Sequence, residues 1–154
     1  MNNDFAFETG TWTVTHRQLR GEEWVEFTST ASAHGFFEGN GSFEEHVFHE
    51  LGTRGTAFRL YDPAVQEWAI YWASSRDGKL QTPARGRFVD GVGTFVDEDG
   101  TGRFHWKDIT PTSAHWYQEH SEDGGTTWVT NWTMDFTRVS ASSSPRDDAV
   151  VVEE

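Results

Sequence analysis

The chain has 154 residues, a formal net charge of −13 and no cysteine, and 35% of its residues are hydrophobic. This length suits one domain and is too short for a six-bladed propeller, whose blades need roughly 40–50 residues each. The excess of acidic residues disfavours a nucleic-acid partner, and the lack of cysteine excludes disulfides, thiol nucleophiles and thiolate metal sites.

Aromatic residues are abundant, with 8 Trp and 12 Phe against 2 Met. Strands favour aromatic and β-branched side chains, so this usage favours an all-β fold. In the first predicted strand, Trp12, Val14 and His16 alternate with threonines. A period of two puts these three side chains on one face, which we expect to be the inside.

Nine further segments of strand character follow, separated by turn residues. Short turns leave no room for crossover helices and predict an up-and-down antiparallel meander, which closes into a barrel to remove its edges. We therefore predict a ten-stranded, calycin-like β-barrel over residues 1–139, with an eight-stranded barrel and a β-sandwich as alternatives. The predicted strands are residues 11–19, 24–33, 42–50, 54–62, 67–75, 80–90, 91–99, 102–109, 113–121 and 127–138.

Residues 140–154 are rich in serine and acidic residues and are expected to form a flexible tail. The N-terminal residues lack the basic and apolar regions of a signal peptide, and no stretch is long and apolar enough for a membrane span. We therefore expect a cytoplasmic protein without a membrane partner. A closed barrel exposes few edges, so a monomer or a weak homodimer is expected.

The segment SEDGGTTW, residues 121–128, matches the Ser-x-Asp-x-Gly-x-Thr-Trp pattern called an Asp-box in sialidases and related β-propellers. The chain is too short for a propeller and has no second copy of the pattern, so we interpret the segment as the last hairpin turn. Asp123 and Ser121 are expected to hydrogen-bond the turn's own backbone, with Trp128 packed below it.

Gly10-Thr11-Trp12 opens the first strand and Arg138 ends the last, which resembles the lipocalin and calycin pattern in which a Gly-x-Trp and a late arginine stack to plug the closed end. Longer segments resemble a bacterial family of calycin-like domains of unknown function, akin to lipocalins and nitrobindins. These segments are GTWTVTHRQL, GNGSFEEHVF, FRLYDPAVQEWAIYW and EHSEDGGTTWVTNWTMDFTR. The resemblance covers most of residues 7–138 and implies a fold rather than a reaction.

Polar residues that face the barrel lumen are the candidates for chemistry. Glu45 and Arg59 are predicted to pair there, because buried charges are costly unless they are paired. Gln118 and His16 are predicted to orient a ligand. The alternatives are a structural ion pair or exposed positions for Glu45 and Arg59, and a core position for His16.

The expected wall of the lumen is aromatic. Asn131 is also predicted to bind the ligand, although alternation places it on the opposite face of the last strand from the aromatic residues unless a bulge reverses it. The predicted wall residues are Trp72, Trp116, Trp132 and Phe136.

Histidine spacing does not favour a metal or a cofactor. His46 and His49 have a metal-like spacing, but residues i and i+3 of a strand point to opposite faces, so no metal is predicted. A haem site like that of nitrobindins needs one proximal histidine, which His16, His105 or His120 would supply. The haem-ligand context of that family is lacking, so haem is an alternative and no cofactor is predicted.

These observations predict that a small, largely apolar or aromatic organic molecule binds in the lumen. The alternative is a cofactor-independent cyclase, isomerase, dehydratase or hydrolase, with Glu45 or His16 as acid/base and Arg59 stabilising negative charge. A further alternative is a barrel filled by its own aromatic residues that serves as an interaction domain.

Overall fold

The computed structural model of the protein describes residues 1–142. Two short 3-10 helices, Ala6–Glu8 and Phe37–Gly39, accompany ten strands. The strands are β1 (Gly10–Arg20), β2 (Glu23–Phe36), β3 (Gly41–Phe48), β4 (Thr53–Asp62), β5 (Glu67–Ser74), β6 (Ala84–Val89), β7 (Val92–Val96), β8 (Gly102–Lys107), β9 (Ser113–His120) and β10 (Val129–Ser140).

The ten strands form one closed antiparallel barrel, in which each strand pairs with its sequence neighbours and β10 pairs with β1. The predicted all-β, up-and-down barrel of ten strands is confirmed, and the alternatives of eight strands and of a sandwich are wrong. The sixth strand is shorter than predicted, because Pro83 precedes it and has no N–H to donate. No helix among residues 1–142 is long and apolar enough to cross a membrane.

The predicted domain boundary lies close to the end of the barrel, since β10 ends at Ser140. Most of the predicted tail, residues 143–154, lies outside the described residues. Its flexibility therefore stays a prediction.

The end of the barrel at which β1 begins and β10 ends, here called the closed end, is filled by the core. Phe5 packs edge-on against Trp68 and Phe88, with ring centroids 4.8 and 5.0 Å apart. Aromatic rings in this geometry bury a large area and attract each other through edge-to-face contacts. The large buried side chains of this core include Phe5, Trp12, Trp68, Phe95, Trp106 and Phe136.

Arg138 seals the closed end. Its guanidinium carbon lies 4.2 Å from the centroid of the Trp12 ring. Its nitrogens donate to three backbone carbonyls, at 2.6 Å to Thr9, at 2.8 Å to Pro111, and to Phe7. Gly10 is required beside it, because its φ is +129° and a Cβ there would collide with the backbone oxygen of Ser140. The arginine thus ties the segment before β1 to the last strand.

We expect Arg138→Lys to lower the free energy of unfolding by about 2 kcal/mol, because lysine keeps the charge but loses the flat stacking surface and the forked donors. Urea unfolding followed by circular dichroism measures this change. Arg17→Lys is the matched control, since Arg17 lies 5.1 Å from the Trp24 ring on the exposed surface. A loss for Arg138→Lys no larger than that for Arg17→Lys would contradict the proposed seal.

Candidate functional site

A cavity of about 420 Å³ occupies the other half of the barrel and opens at the end opposite Arg138. Its mouth lies near the β5–β6, β7–β8 and β9–β10 turns, where Gln81, Asp97 and His120 border it. Apolar side chains make up much of the wall. They include Phe48, Ile70, Trp72, Phe104, Trp106, Trp116, Trp132 and Met134.

A buried chain of hydrogen bonds runs along one side of this cavity. Trp132 Nε1 lies 3.1 Å from His16 Nδ1, and His16 Nε2 lies 2.8 Å from Ser29 Oγ. Ser29 Oγ lies 3.0 Å from His46 Nδ1, and His46 Nε2 lies 3.1 Å from Glu44. His16, Ser29 and His46 are each at most 2% exposed, so water does not compete for these bonds.

The direction of the chain follows from Trp132, because an indole N–H can only donate. His16 therefore accepts at Nδ1 and donates from Nε2 to Ser29. Ser29 Oγ bridges the two rings, and His46 Nε2 faces the Glu44 carboxylate, which can only accept. Every ring nitrogen of the two histidines is engaged in this arrangement.

His16 does not become charged near neutral pH. Burial, together with repulsion from the nearby His46, lowers the pKa of His16 to about 3. A neutral imidazole is consistent with its acceptor role towards Trp132.

Arg59 on β4 lies at the inner end of the cavity between two carboxylates. It donates to Glu8, lies 3.0 Å from Ser42 Oγ, and approaches Glu44 Oε1 to 3.4 Å. Burial raises the pKa of Glu44, but His46 and Arg59 outweigh burial and hold that pKa below its usual value. Burial lowers the pKa of Arg59, and Glu44 opposes this effect. The cluster is therefore a buried ion network rather than a single pair.

The predicted pairing of Glu45 with Arg59 is wrong. Glu45 faces outward, where its Oε1 lies 3.5 Å from Arg54 Nη1, and Glu44 takes the inward place beside Arg59. Hydrophobicity favoured the other face of β3, which carries Phe43 and Val47. The face that turns inward instead is Ser42, Glu44, His46 and Phe48.

Small residues on the neighbouring strands make room for these polar side chains. Ala31 and Ala33 of β2 lie beside His46 and Glu44, and Ala57 of β4 lies beside Glu44 on the other side. This row of alanines was the sequence signal that could have identified the polar face. Glu8, by contrast, precedes β1 and lies outside any strand pattern.

Gln118 and Asn131 meet in the half of the cavity nearest the mouth. Gln118 Nε2 donates to Asn131 Oδ1 at 3.2 Å. The register of β10 against β9 shifts between Thr130 and Trp132, which marks the β-bulge that the strand pattern allowed. Because of this bulge, Asn131 borders the cavity.

The predicted aromatic wall is only partly the one that the structure has. Trp72, Trp116 and Trp132 line the cavity. Phe136 does not belong to that wall, because it is 1% exposed and packs in the closed-end core against Trp12 and Trp106. Phe136 lies nearer than Trp132 to the closed end of the barrel, so its side chain lies below the cavity.

The histidines other than His16 and His46 lie apart from the inner end of the cavity. His49 is exposed whereas His46 is buried, as strand alternation predicts. His105 lies on the opposite face of β8 from Trp106 and contacts Thr94 and Glu119, at 3.1 and 2.9 Å. Within residues 1–142 there is no group of three or more His, Asp or Glu side chains arranged to hold a metal ion.

The Asp-box-like turn lies at the open end. Asp123 Oδ1 accepts from the backbone N–H groups of Thr126 and Thr127, at 3.0 and 2.8 Å, and Ser121 Oγ accepts from Gly125. Trp128 donates to the Gly125 carbonyl. These are the local bonds of a hairpin turn, and they involve no group at the inner end of the cavity.

Comparison of the sequence with protein-family models and with curated proteins finds no match in either case. The structure therefore defines a fold class for this protein and not a family. It is a closed ten-stranded antiparallel β-barrel, compatible with a calycin or lipocalin-like fold, with a cavity at one end.

We expect Ser29→Ala to lower the free energy of unfolding by about 2–3 kcal/mol, because it leaves one buried ring nitrogen on each of His16 and His46 without a partner. Chemical denaturation measures the loss. Ser32→Ala on the outward face of the same strand is the matched control and should change stability by less than about 0.5 kcal/mol. Equal effects of the two substitutions would show that the chain has no energetic role.

Hydrogen bonds from Thr127, first from its side chain and then from its backbone, lower the pKa of Asp123 from 3.8 to about 2. A depressed carboxylate pKa contributes stability that is present above about pH 4 and is lost as the pH falls towards 2. We expect Thr127→Ala to raise this pKa towards 3.8, measured by NMR titration of the carboxyl carbon. Thr126→Ala should leave it unchanged, because Thr126 uses only its backbone N–H. A pKa that stays near 2 in Thr127→Ala would refute the assignment.

Proposed function

We propose that the barrel binds a small, largely apolar or aromatic organic molecule in its lumen. The observation that carries this proposal is the cavity of about 420 Å³, bordered by four indoles, in a barrel whose other half is closely packed. Ligand pockets typically measure about 300–1,000 Å³ and combine apolar walls with a few polar groups. An open half also weighs against a barrel that is filled entirely by its own aromatic residues.

The arrangement of His16 supports binding more than acid/base catalysis. An acid or base needs a pKa near the working pH and an atom that reaches the substrate. The pKa of His16 is about 3, and both of its ring nitrogens are engaged by Trp132 and Ser29. Glu45, the other predicted acid/base, lies on the outside. The cyclase, isomerase, dehydratase or hydrolase alternative is therefore less supported than binding.

The haem alternative has similar difficulties. A proximal histidine must offer a ring nitrogen to the iron. The nitrogens of His16 and of His105 are all in hydrogen bonds, and His120 lies at the rim, 3.6 Å from Glu122. The described residues do not fit an axial ligand.

Membership of the bacterial calycin-like family belongs to the same proposal. Its support is the closed end, where Gly10, Trp12 and Arg138 have the geometry that the lipocalin and calycin pattern implies. The cytoplasmic location and the monomeric or weakly dimeric state stay predictions.

Quenching of tryptophan fluorescence tests the proposal, because four of the 8 tryptophans border the cavity. We expect saturable quenching by members of a panel of small aromatic molecules that includes cations, neutral compounds and anions. Trp72→Ala should weaken the affinity for a quenching ligand at least about tenfold, through the lost apolar contact.

The matched control is Trp24→Ala, since Trp24 is 41% exposed and lies outside the barrel. This variant should bind as the unaltered protein does. Lack of saturable quenching across the whole panel would refute the proposed function, and equal weakening by the two variants would place the ligand outside the lumen.

A further inference from the structure

At the inner end of the cavity one buried guanidinium faces two buried carboxylates. Arg59 is 2% exposed, and it faces Glu8 and Glu44, which are 1% and 4% exposed. His16 lies further along the hydrogen-bond chain and adds no positive charge. The guanidinium is therefore already matched by two carboxylates.

Two carboxylate oxygens of this cluster, Glu8 Oε2 and Glu44 Oε2, accept no hydrogen bond from the described residues. Glu44, unlike Glu8, lines the cavity, and its Oε1 is approached by both His46 and Arg59. Its Oε2 is buried and accepts no hydrogen bond from any of the described residues. A buried carboxylate oxygen without a donor is costly, so a donor carried by a ligand would stabilise the complex strongly.

The cavity wall also suits a positive charge. The faces of aromatic rings attract cations through their quadrupole, and indole does so most strongly. Trp72 lies on β5, and Trp116 and Trp132 lie on β9 and β10, so indoles border the cavity on two sides. The net charge of −13 adds a long-range attraction for cations and a repulsion for anions.

We infer that the ligand is a small aromatic amine, whose ammonium group donates to Glu44 Oε2 while its ring lies among the cavity indoles. This inference rests on the proposed function, since it names the chemical class that the same cavity takes. Arg59 Nε has no hydrogen-bond partner among the described residues, but Glu8 and Glu44 already face this guanidinium. An aromatic carboxylate is therefore disfavoured, because a third negative charge would add repulsion.

Three ligands of matched size test the inference by isothermal titration calorimetry at pH 7. They are 2-phenylethylamine, 2-phenylethanol and 3-phenylpropanoate, which share a ring and differ in the charge of the end group. We expect the amine to bind at least about tenfold more tightly than the alcohol, and the carboxylate to bind most weakly.

The variant Glu44→Gln should bring the affinity for the amine to within about threefold of that for the alcohol. Glu45→Gln is the matched control, because it removes the same charge from the next residue on the outer face and should keep the preference. Circular dichroism checks that both variants are folded. If Glu44→Gln does not fold, the ranking of the three ligands by the unaltered protein decides the inference.

Tightest binding of the alcohol or the carboxylate would overturn the inference and leave the proposed function standing. A preference for the amine that survives in folded Glu44→Gln would also overturn it, because the cation would then be recognised elsewhere. If none of the three ligands binds, the inference fails, and the fluorescence panel decides separately whether the lumen binds other molecules.

Discussion

Arg59 is the charge on which the interior of this barrel depends. It is buried and touches Glu8 from the segment that fills the closed end, and Glu44 from the strand that lines the cavity. A buried guanidinium is tolerated only where carboxylates and other acceptors surround it. Because its partners come from both halves of the barrel, Arg59 joins the packed half to the open half. The plug of the barrel and the inner end of the cavity are thus parts of one ionic network.

The two halves of the barrel differ in what fills them. Aromatic rings such as Phe5 and Trp68 pack the closed end, and Arg59 and Arg138 contact rings of this core. In the open half, His16, Ser29 and His46 form hydrogen bonds with one another. Because these side chains satisfy each other, they do not have to fill the cavity to find partners. The cavity therefore stays lined by a rigid polar side and an aromatic side, which is the arrangement expected for a preformed binding pocket.

Much of the fold was predictable from the sequence, and the candidate site was only partly so. Alternation identified the inward face of β1, and the turn residues separated ten strands, because both signals are local. Alternation did not identify the inward face of β3, since Phe43 and Val47 are the more apolar choice there and yet point outward. The position of Asn131 depended on a bulge in β10, and a bulge shifts every inward side chain after it.

The sequence by itself determined the all-β class and the ten-stranded meander, because period-two patterns and turn chemistry act over a few residues. The pairing of Trp12 with Arg138 was implied only by the resemblance to the lipocalin and calycin pattern. Only the tertiary structure decided that Glu44 rather than Glu45 meets Arg59, that Glu8 joins them, and that Phe136 lies below the cavity instead of in its wall. The physical reason is that the orientation of β3 follows from its register against β2 and β4, where alanines leave room for large polar side chains. That choice is a property of three strands together, which no single strand carries in its own pattern.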